Sequence, residues 1–206
     1  MNWSAVITGD LVKSSKLPAH QYEQTIQQLE HILCKLGGQS SNFSIYRGDA
    51  FQLLLPCATS ALSAALLIRL TLIAIGSDCR LSIGIGEVDN LRSQISVSTG
   101  QAFVLSGRGL EPLKELHWAL HLPIPIATEW QLLLKFSDVL LKQMTARQAQ
   151  VLYGYFAHGQ ISHQQLAEVM QSSRANVTQL LNQANYTLFQ ELLTQFERYL
   201  PEQGKL

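Results

Sequence analysis

The chain has 206 residues with 15 Lys or Arg and 15 Asp or Glu, so its formal net charge is zero when the histidines are neutral. This balance excludes a global field that would attract nucleic acid or a membrane surface. Charged residues make up only 15% of the chain, against an average of about 25%. So few charges indicate extensive burial or a subunit interface, and we expect a homodimer.

Cysteine usage and hydropathy predict a cytoplasmic protein without a membrane partner. The three cysteines, Cys34, Cys57 and Cys79, lack metal-binding spacing, and their odd number is typical of reduced thiols. The start MNWSAVITGD has no basic region and predicts no signal peptide. The most apolar stretch, residues 58–76, contains Arg69 and is shorter than the roughly 20 residues that span a bilayer.

Strands and helices alternate in the first half of the chain. Residues 3–8 predict a buried strand, and residues 17–36 an amphipathic helix because apolar side chains recur every three or four positions. Alternating apolar residues at 43–45 and 51–55 predict a hairpin that turns at Arg47-Gly48-Asp49. A buried helix follows at 58–75.

Residues 80–88 then predict a strand whose Gly84 and Gly86 indicate that another group approaches its backbone closely. A short return strand is predicted at 95–98, and a third helix from 98 to about 117. The two prolines of residues 121–129 indicate a late edge strand. The order β-α-β-β-α-β predicts an α+β fold with a ferredoxin-like sheet.

The last part of the chain predicts a small all-α unit. Capping-box patterns at Thr145 and Ser162 begin two helices, and the break Gln171-Ser172 separates the second from a longer one. This arrangement is typical of a helix-turn-helix. We therefore divide the chain into a sheet domain, residues 1–141, and a helix-turn-helix domain, residues 142–206.

Candidate DNA-binding residues lie where the longer helix begins. Asn and Gln pair with adenine and Arg with guanine in the major groove. The candidates are Ser173, Arg174, Asn176, Thr178 and Gln179. Residues 142–206, with Lys205 included, hold five basic against four acidic side chains. One copy would therefore neutralise few phosphates, and a dimer would double the contacts. The alternative is a bundle used only for packing or dimerisation.

The final helical stretch carries an apolar stripe that allows two interpretations. The stripe consists of Leu188, Leu192, Leu193, Phe196 and Leu200. Such a stripe is typical of an amphipathic helix that buries one face. It predicts either a dimer helix or a helix that covers the sheet domain.

Two aspartates follow predicted strand ends. Asp10 comes directly after the first strand, and Asp49 lies at the tip of the hairpin. In a split βαβ sheet these strands can be neighbours, so both carboxylates would converge at one edge. Paired carboxylates repel unless a cation neutralises them, and Mg²⁺ or Mn²⁺ together with phosphate oxygens suits that position. The alternative is that each aspartate only caps its own turn.

Four blocks of sequence, in order, resemble the SatD family: VITGDLVKSS, YRGDAFQLLLP, RLSIGIGEVD and STGQAFVLSGRGLEPLK. The same blocks are similar to a reduced class III nucleotidyl cyclase or GGDEF diguanylate cyclase, over roughly residues 3–117. The resemblance implies a palm-like sheet that binds a nucleoside triphosphate through metal-bound Asp10 and Asp49. It also implies that Lys13, Ser14, Ser15 and Gly48 bind the nucleotide and that Arg108 stabilises the transition state.

Two departures from the cyclase pattern affect catalysis more than binding. Val104 stands where cyclases carry an asparagine, and Ala50 where the GGDEF pattern carries its glutamate. We therefore expect a regulator in which a nucleotide- and magnesium-binding palm is joined to a DNA-binding helix-turn-helix. Two alternatives stay open: an active nucleotidyl cyclase or nucleotidyltransferase, and a degenerate palm that serves only as a dimerisation scaffold.

Overall fold

A mixed sheet and a set of helices make up the computed structural model, which describes residues 3–92 and 94–203. Residues 1–2 of the predicted sheet domain and residues 204–206 of the predicted helix-turn-helix domain, which include Lys205, lie outside the described residues. The fold class is α+β. The five described strands are β1 (Ser4–Leu11), β2 (Phe43–Tyr46), β3 (Ala50–Leu55), β4 (Cys79–Gly86) and β5 (Trp118–His121). The eight described α-helices are α1 (Ala19–Gly37), α2 (Ala61–Ile73), α3 (Gln101–Leu110), α4 (Thr128–Lys142), α5 (Ala146–Ala157), α6 (His163–Val169), α7 (Arg174–Gln183) and α8 (Tyr186–Gln203).

The strands lie in the order β2-β3-β1-β4-β5. The first four are antiparallel to their neighbours, and β5 runs parallel to β4. The predicted hairpin of β2 and β3 therefore lies directly beside β1. In the register of the sheet, Asp10 of β1 is opposite both Ala50 of β3 and Arg80 of β4.

Side chains that alternate along the strands divide the molecule into three layers. One face of the sheet, which includes Ile7, Leu53 and Ile83, packs against α1 and α2. The opposite face, with Val6 and Leu54, packs against α3. The sheet is therefore covered on both sides, and only its ends and edges remain open for a site.

Helix α3 approaches the backbone of the sheet closely at Gly84. A Cβ atom on Gly84 would lie 2.3 Å from the carbonyl oxygen of Ala102 and 2.4 Å from the backbone nitrogen of Ser106, both in α3. At Gly86 a Cβ atom would lie 2.9 Å from the side chain of Gln101. The close approach predicted at these two glycines is confirmed, and helix α3 makes it.

The helical end of the chain packs on the same layer as α1 and α2. Helix α5 contacts α2, and one continuous apolar cluster includes residues from the sheet, α2, α5 and α8. Helix α8 buries Leu192, Leu193, Phe196 and Leu200, whereas Leu188 is 53% exposed. Most of the stripe predicted for the final helix is thus buried within the chain, where α8 contacts α2.

Several predicted elements differ from the structure. The return strand at 95–98 is a single 3-10 turn, Ile95–Val97, and the third helix ends at Leu110. The prediction of a late strand at 121–129 is wrong: β5 spans Trp118–His121, and the prolines that follow cannot donate to a ladder. Residues 128–142 form α4 instead, since Trp130, Leu134 and Leu141 recur at helical spacing and are buried. The predicted long helix after residue 173 is interrupted at Asn185, which has φ 55°.

A buried ion cluster around Arg69 joins α2, the start of β4 and α4. The Arg69 guanidinium is fully buried and donates to Oδ1 of Asp138 at 2.7 Å and to Oδ2 of Asp78 at 2.7 Å. Asp138 also pairs with Lys142 at 2.7 Å, and Asp78 accepts from Nδ1 of His117 at 2.7 Å. The cluster satisfies charges that an apolar interior would otherwise exclude, and it fixes α4 against the sheet.

The charges in this cluster shift the pKa of Asp78. Burial alone would raise the pKa of its carboxyl group, but hydrogen bonds from His117 and Arg69 and the charge of Arg69 outweigh it. The net result is a pKa lowered from 3.8 to about 2. Asp78 therefore stays ionised over the ordinary pH range, as its partners require.

Within residues 3–92 and 94–203, no helix combines the length and the hydropathy needed to cross a bilayer.

Candidate functional site

The tip of the β2–β3 hairpin and the start of α1 line an open cleft of about 360 Å³ that has both polar and apolar walls. Four residues predicted to bind nucleotide or metal line it together: Ser14, Ser15, Gly48 and Asp49. Lys13, the residue before this group, is exposed and has φ 56°. The structure therefore brings most of the predicted nucleotide-binding residues to one place.

Short hydrogen bonds fix the shape of this cleft. The Ser14 hydroxyl donates to Oδ2 of Asp49 at 2.5 Å, and the Tyr22 hydroxyl donates to the carbonyl oxygen of Gly48 at 2.7 Å. Arg47 and Gly48 have φ angles of 52° and 87°, a left-handed turn that glycine favours. The hairpin tip is thus tied to α1 and to the loop after β1, with the exposed Arg47 at the rim.

Asp10 lies beside this cleft but has a different partner. Arg80 donates from Nε to Oδ1 of Asp10 at 2.9 Å and from Nη2 to Oδ2 at 2.6 Å. The same guanidinium donates to the carbonyl oxygen of Leu113 at 2.6 Å. The hydrogen bonds and charge of Asp10, and the more distant charge of Asp49, raise the pKa of Arg80. Arg80 thus supplies the positive charge that the sequence interpretation assigned to a metal ion.

The register explains why the two aspartates have different partners. Asp10 is opposite Ala50, whereas the backbone N–H of Leu11 donates to the carbonyl oxygen of Asp49 at 3.2 Å. Asp49 lies in the turn one residue before β3 begins and accepts from Ser14 in the loop after β1, whereas Asp10 lies within the ladder beside Arg80. Within residues 3–92 and 94–203, no group of three or more His, Cys, Asp or Glu side chains is arranged to hold a metal ion. In this arrangement Asp10 is paired with Arg80 and Asp49 accepts from Ser14.

Arg108, the predicted catalytic residue, lies apart from the cleft. It is exposed in the last turn of α3, and Val104 is exposed one turn earlier. Helix α3 covers the face of the sheet opposite to α1, whose residues line the cleft. Among the described residues, Arg108 makes no hydrogen bond or ion pair with either aspartate. Arg108 is therefore not among the residues that line the cleft.

A second candidate site is the outer face of α7. Arg174, Ala175, Thr178, Gln179, Asn182 and Gln183 line an open surface on this helix. Val177 and Leu181 are buried on the opposite side, where α7 packs against α5 and α6. Because buried and exposed residues alternate with helical spacing, one polar stripe of α7 faces away from the protein.

Local hydrogen bonds divide the predicted DNA-binding residues into two groups. Ser173 caps α7 by accepting from the backbone N–H of Asn176 at 3.1 Å, and Asn176 donates to the Ser172 hydroxyl at 2.9 Å. Thr178 shares a hydrogen bond of 2.9 Å with Nδ1 of His163 in α6. These residues hold the turn and the helix pair together. Arg174 and Gln179 are exposed and make no side-chain hydrogen bond among the described residues.

The helices that present α7 begin where the sequence predicts. Capping boxes are present at Thr145 for α5 and at Ser162 for α6, so both predicted helix starts are confirmed. Between α6 and α7 the chain turns at Gln171, which has φ 49°. The turn is short, and α6 and α7 therefore pack as a pair beside α5.

Sequence reasoning missed three residues of these sites. The sequence did not indicate Arg80, because its partner lies 70 positions away. The predicted ferredoxin-like sheet places the two strands side by side, and this neighbourhood could have suggested the pair. Tyr22 gave no signal beyond its place on an amphipathic helix. Asn182 continues the polar stripe of Arg174 and Gln179 by helical spacing, and this periodicity could have identified it.

Comparison of the chain with protein-family models and with curated proteins found no match. The resemblance to the SatD family therefore stays a prediction based on the four sequence blocks.

Proposed function

We propose that the protein binds double-stranded DNA through α6 and α7 and acts as a transcriptional or signalling regulator. The observation that carries this proposal is the polar, outward-facing stripe of α7, with Arg174 and Gln179 free to contact bases. A recognition helix reads base edges in the major groove with residues near its N-terminus, and both of these residues lie in the first two turns.

The partners of α7 support the same proposal. A recognition helix is useful only if its orientation is fixed, and three features fix that of α7. The Ser173 cap sets where the helix begins, the His163–Thr178 hydrogen bond fixes it to α6, and Val177 and Leu181 anchor it in the core. The side chains that would meet DNA are left out of these contacts.

Selection from a random duplex library with the full chain tests this function. We expect a shared sequence to be enriched and to bind more tightly than the starting pool, with affinity that falls as salt increases. If no duplex is enriched and none binds even at low salt, DNA binding is wrong.

We propose, second, that the cleft at the hairpin tip binds the phosphates of a nucleotide. Ser14 and Ser15 offer hydroxyl groups, and Arg47 offers a cation at the rim. A magnesium ion carried by such a nucleotide would find the Asp49 carboxylate as a protein ligand, because Asp10 is already paired with Arg80. The separation of Arg108 from the cleft favours binding over cyclisation.

The strand order supports the finer assignment of the fold that we propose. The four strands β2-β3-β1-β4, each antiparallel to its neighbour, have the order of a ferredoxin-like sheet, and β5 extends it. A palm of the SatD or cyclase type would place its nucleotide at the end of β1 beside the hairpin, where the cleft lies. Membership of that family is part of the proposal.

A further inference from the structure

Helix α4 is apolar on two opposite sides. Its inner side buries Trp130, Leu134 and Leu141. Its outer side carries four large apolar residues that are 44–62% exposed: Leu132, Leu133, Phe136 and Val139. An exposed apolar side on a helix normally marks a surface that another element or a partner covers. Within the described residues, nothing covers the outer side of α4.

This apolar side continues into a groove of about 250 Å³ between α4 and α8. The groove is lined by Leu133, Phe136 and Leu140 from α4 and by Leu188 and Leu192 from α8. Leu188 is itself 53% exposed. We call Leu132, Leu133, Phe136, Val139, Leu140 and Leu188 together the α4–α8 patch. A contiguous apolar patch of this kind marks an interaction surface.

Charges at the two borders of the patch indicate which partner fits. Lys135 lies on the α4 border and Glu191 on the α8 border, and both are exposed. Neither forms an ion pair with another described residue. In a two-fold symmetric dimer the same surface meets itself. If α4 of one copy packs on α8 of the other, each Lys135 faces a Glu191 across the interface.

We propose that the α4–α8 patch is a homodimer interface in which Phe136 of each copy fills the groove of the other. Phe136 is the most exposed of the large apolar residues and stands at the edge of a groove that fits a side chain. The arrangement covers the outer side of α4 and pairs the two border charges. It also accounts for a chain with only 15% charged residues.

The interface would place two copies of α7 in one assembly. Helix α8 begins at Tyr186, directly after α7, and Leu188 of the patch lies in its first turn. A dimer formed there doubles the phosphate contacts that one copy of α7 can make. The dimer goes beyond the proposed DNA binding, and it is measured without DNA, so either can fail alone.

Sedimentation velocity of the full chain over a wide range of concentrations tests the proposal. We expect a monomer–dimer equilibrium that Phe136→Glu weakens by about 30-fold or more, the effect of losing a central contact. The matched control is Val104→Glu, which places the same charge on an exposed valine of α3. It should leave the dimer unchanged. A monomer at every concentration, or equal behaviour of the two variants, would overturn the proposal.

A charge exchange tests the orientation and does not depend on Phe136. Lys135→Glu and Glu191→Lys should each weaken the dimer, and the double variant should restore it, because the exchanged charges pair again. A double variant that associates no better than the single variants would overturn the packing of α4 on α8. Far-ultraviolet circular dichroism confirms that each variant is folded.

Discussion

Arg80 holds the carboxylate of Asp10 with two hydrogen bonds, at 2.9 Å from Nε and 2.6 Å from Nη2. The two residues are directly opposite each other on β4 and β1, so the sheet register itself places them together. An arginine in this position neutralises the strand end from within the protein. The sequence suggested a metal for this purpose, and the arrangement leaves Asp49 as the carboxylate that lines the cleft.

The pairing of Asp10 with Arg80 should be measurable as a coupling energy. We expect Asp10→Asn and Arg80→Gln each to lower the free energy of unfolding, and the double variant to lose about 1 kcal/mol less than their sum. The magnitude is modest because Arg80 is 34% and Asp10 22% exposed, so water screens the pair. Urea unfolding followed by circular dichroism measures it. Strictly additive losses would show that the pair contributes nothing.

Nucleotide binding should depend on Asp49 and not on Asp10. We expect a nucleoside triphosphate with Mg²⁺ to raise the melting temperature of the wild type, since a ligand at a hundredfold excess over its Kd stabilises by about 2.7 kcal/mol. Asp49→Asn should remove this shift. Asp10→Asn is the matched control, and its melting temperature with the nucleotide should still exceed its melting temperature without it. Thermal shift with a panel of triphosphates measures both.

Two results of the thermal-shift experiment would contradict nucleotide binding through Asp49. If no triphosphate shifts the wild type, the cleft does not bind nucleotides. If Asp10→Asn abolishes the shift and Asp49→Asn does not, the ligand is held through Asp10 and the assignment of Asp49 is wrong.

The Arg69 cluster should make stability depend on acid pH through Asp78. The pKa of Asp78 is lowered to about 2 from 3.8, so the folded state favours its ionised form. The stabilisation is therefore fully present above about pH 4 and lost as the pH falls toward 2. The shift is about 1.8 pKa units, and at about 1.4 kcal/mol per unit it amounts to about 2.5 kcal/mol.

Urea unfolding at a series of pH values tests this prediction. Asp78→Asn should be less stable than the wild type near neutral pH and should lose less stability on acidification. Asp89→Asn, at an exposed aspartate without an ion pair among the described residues, should follow the wild-type curve. Parallel curves for wild type and Asp78→Asn would contradict the lowered pKa.

Two glycines of α3 provide a matched test of how closely this helix lies on the sheet. A Cβ atom on Gly109 would lie 2.3 Å from the His121 ring and 2.4 Å from the Ser82 hydroxyl, whereas one on Gly107 would meet no atom within 4 Å. We expect Gly109→Ala to lower the melting temperature. Gly107→Ala should leave the melting temperature unchanged or raise it, with a gain of up to about 1 kcal/mol in the free energy of unfolding, because alanine favours helix. Equal effects would contradict the close packing.

Local patterns in the sequence predicted much of the fold. Alternation of apolar residues placed the hairpin and its turn at Arg47 to Asp49, and capping boxes located the starts of α5 and α6. These signals act within a few residues and need no tertiary information. Helix α4 was not predicted, because Pro123 and Pro125 indicated an edge strand in this part of the chain. The buried residues of α4 nevertheless recur with helical spacing.

The candidate sites depended more on contacts that the sequence does not reveal. The pairing of Asp10 with Arg80 and that of Arg69 with Asp138 join residues 70 and 69 positions apart. Their geometry follows from strand register and helix packing, and no local pattern encodes it. The exposed stripe of α7 could be predicted, because helical periodicity alone separates Val177 and Leu181 from Arg174 and Gln179.

DNA binding by α7 is tested most directly by fluorescence anisotropy with the selected duplex, comparing Arg174→Ala with Arg147→Ala. Each variant removes one exposed cation of the helical part, but only Arg174 lies on the outer face of α7. We predict that Arg174→Ala weakens binding by about tenfold or more, as loss of a base contact does, and Arg147→Ala by less than about threefold. Equal losses from the two variants, or no binding by the wild type, would contradict recognition of DNA by this helix.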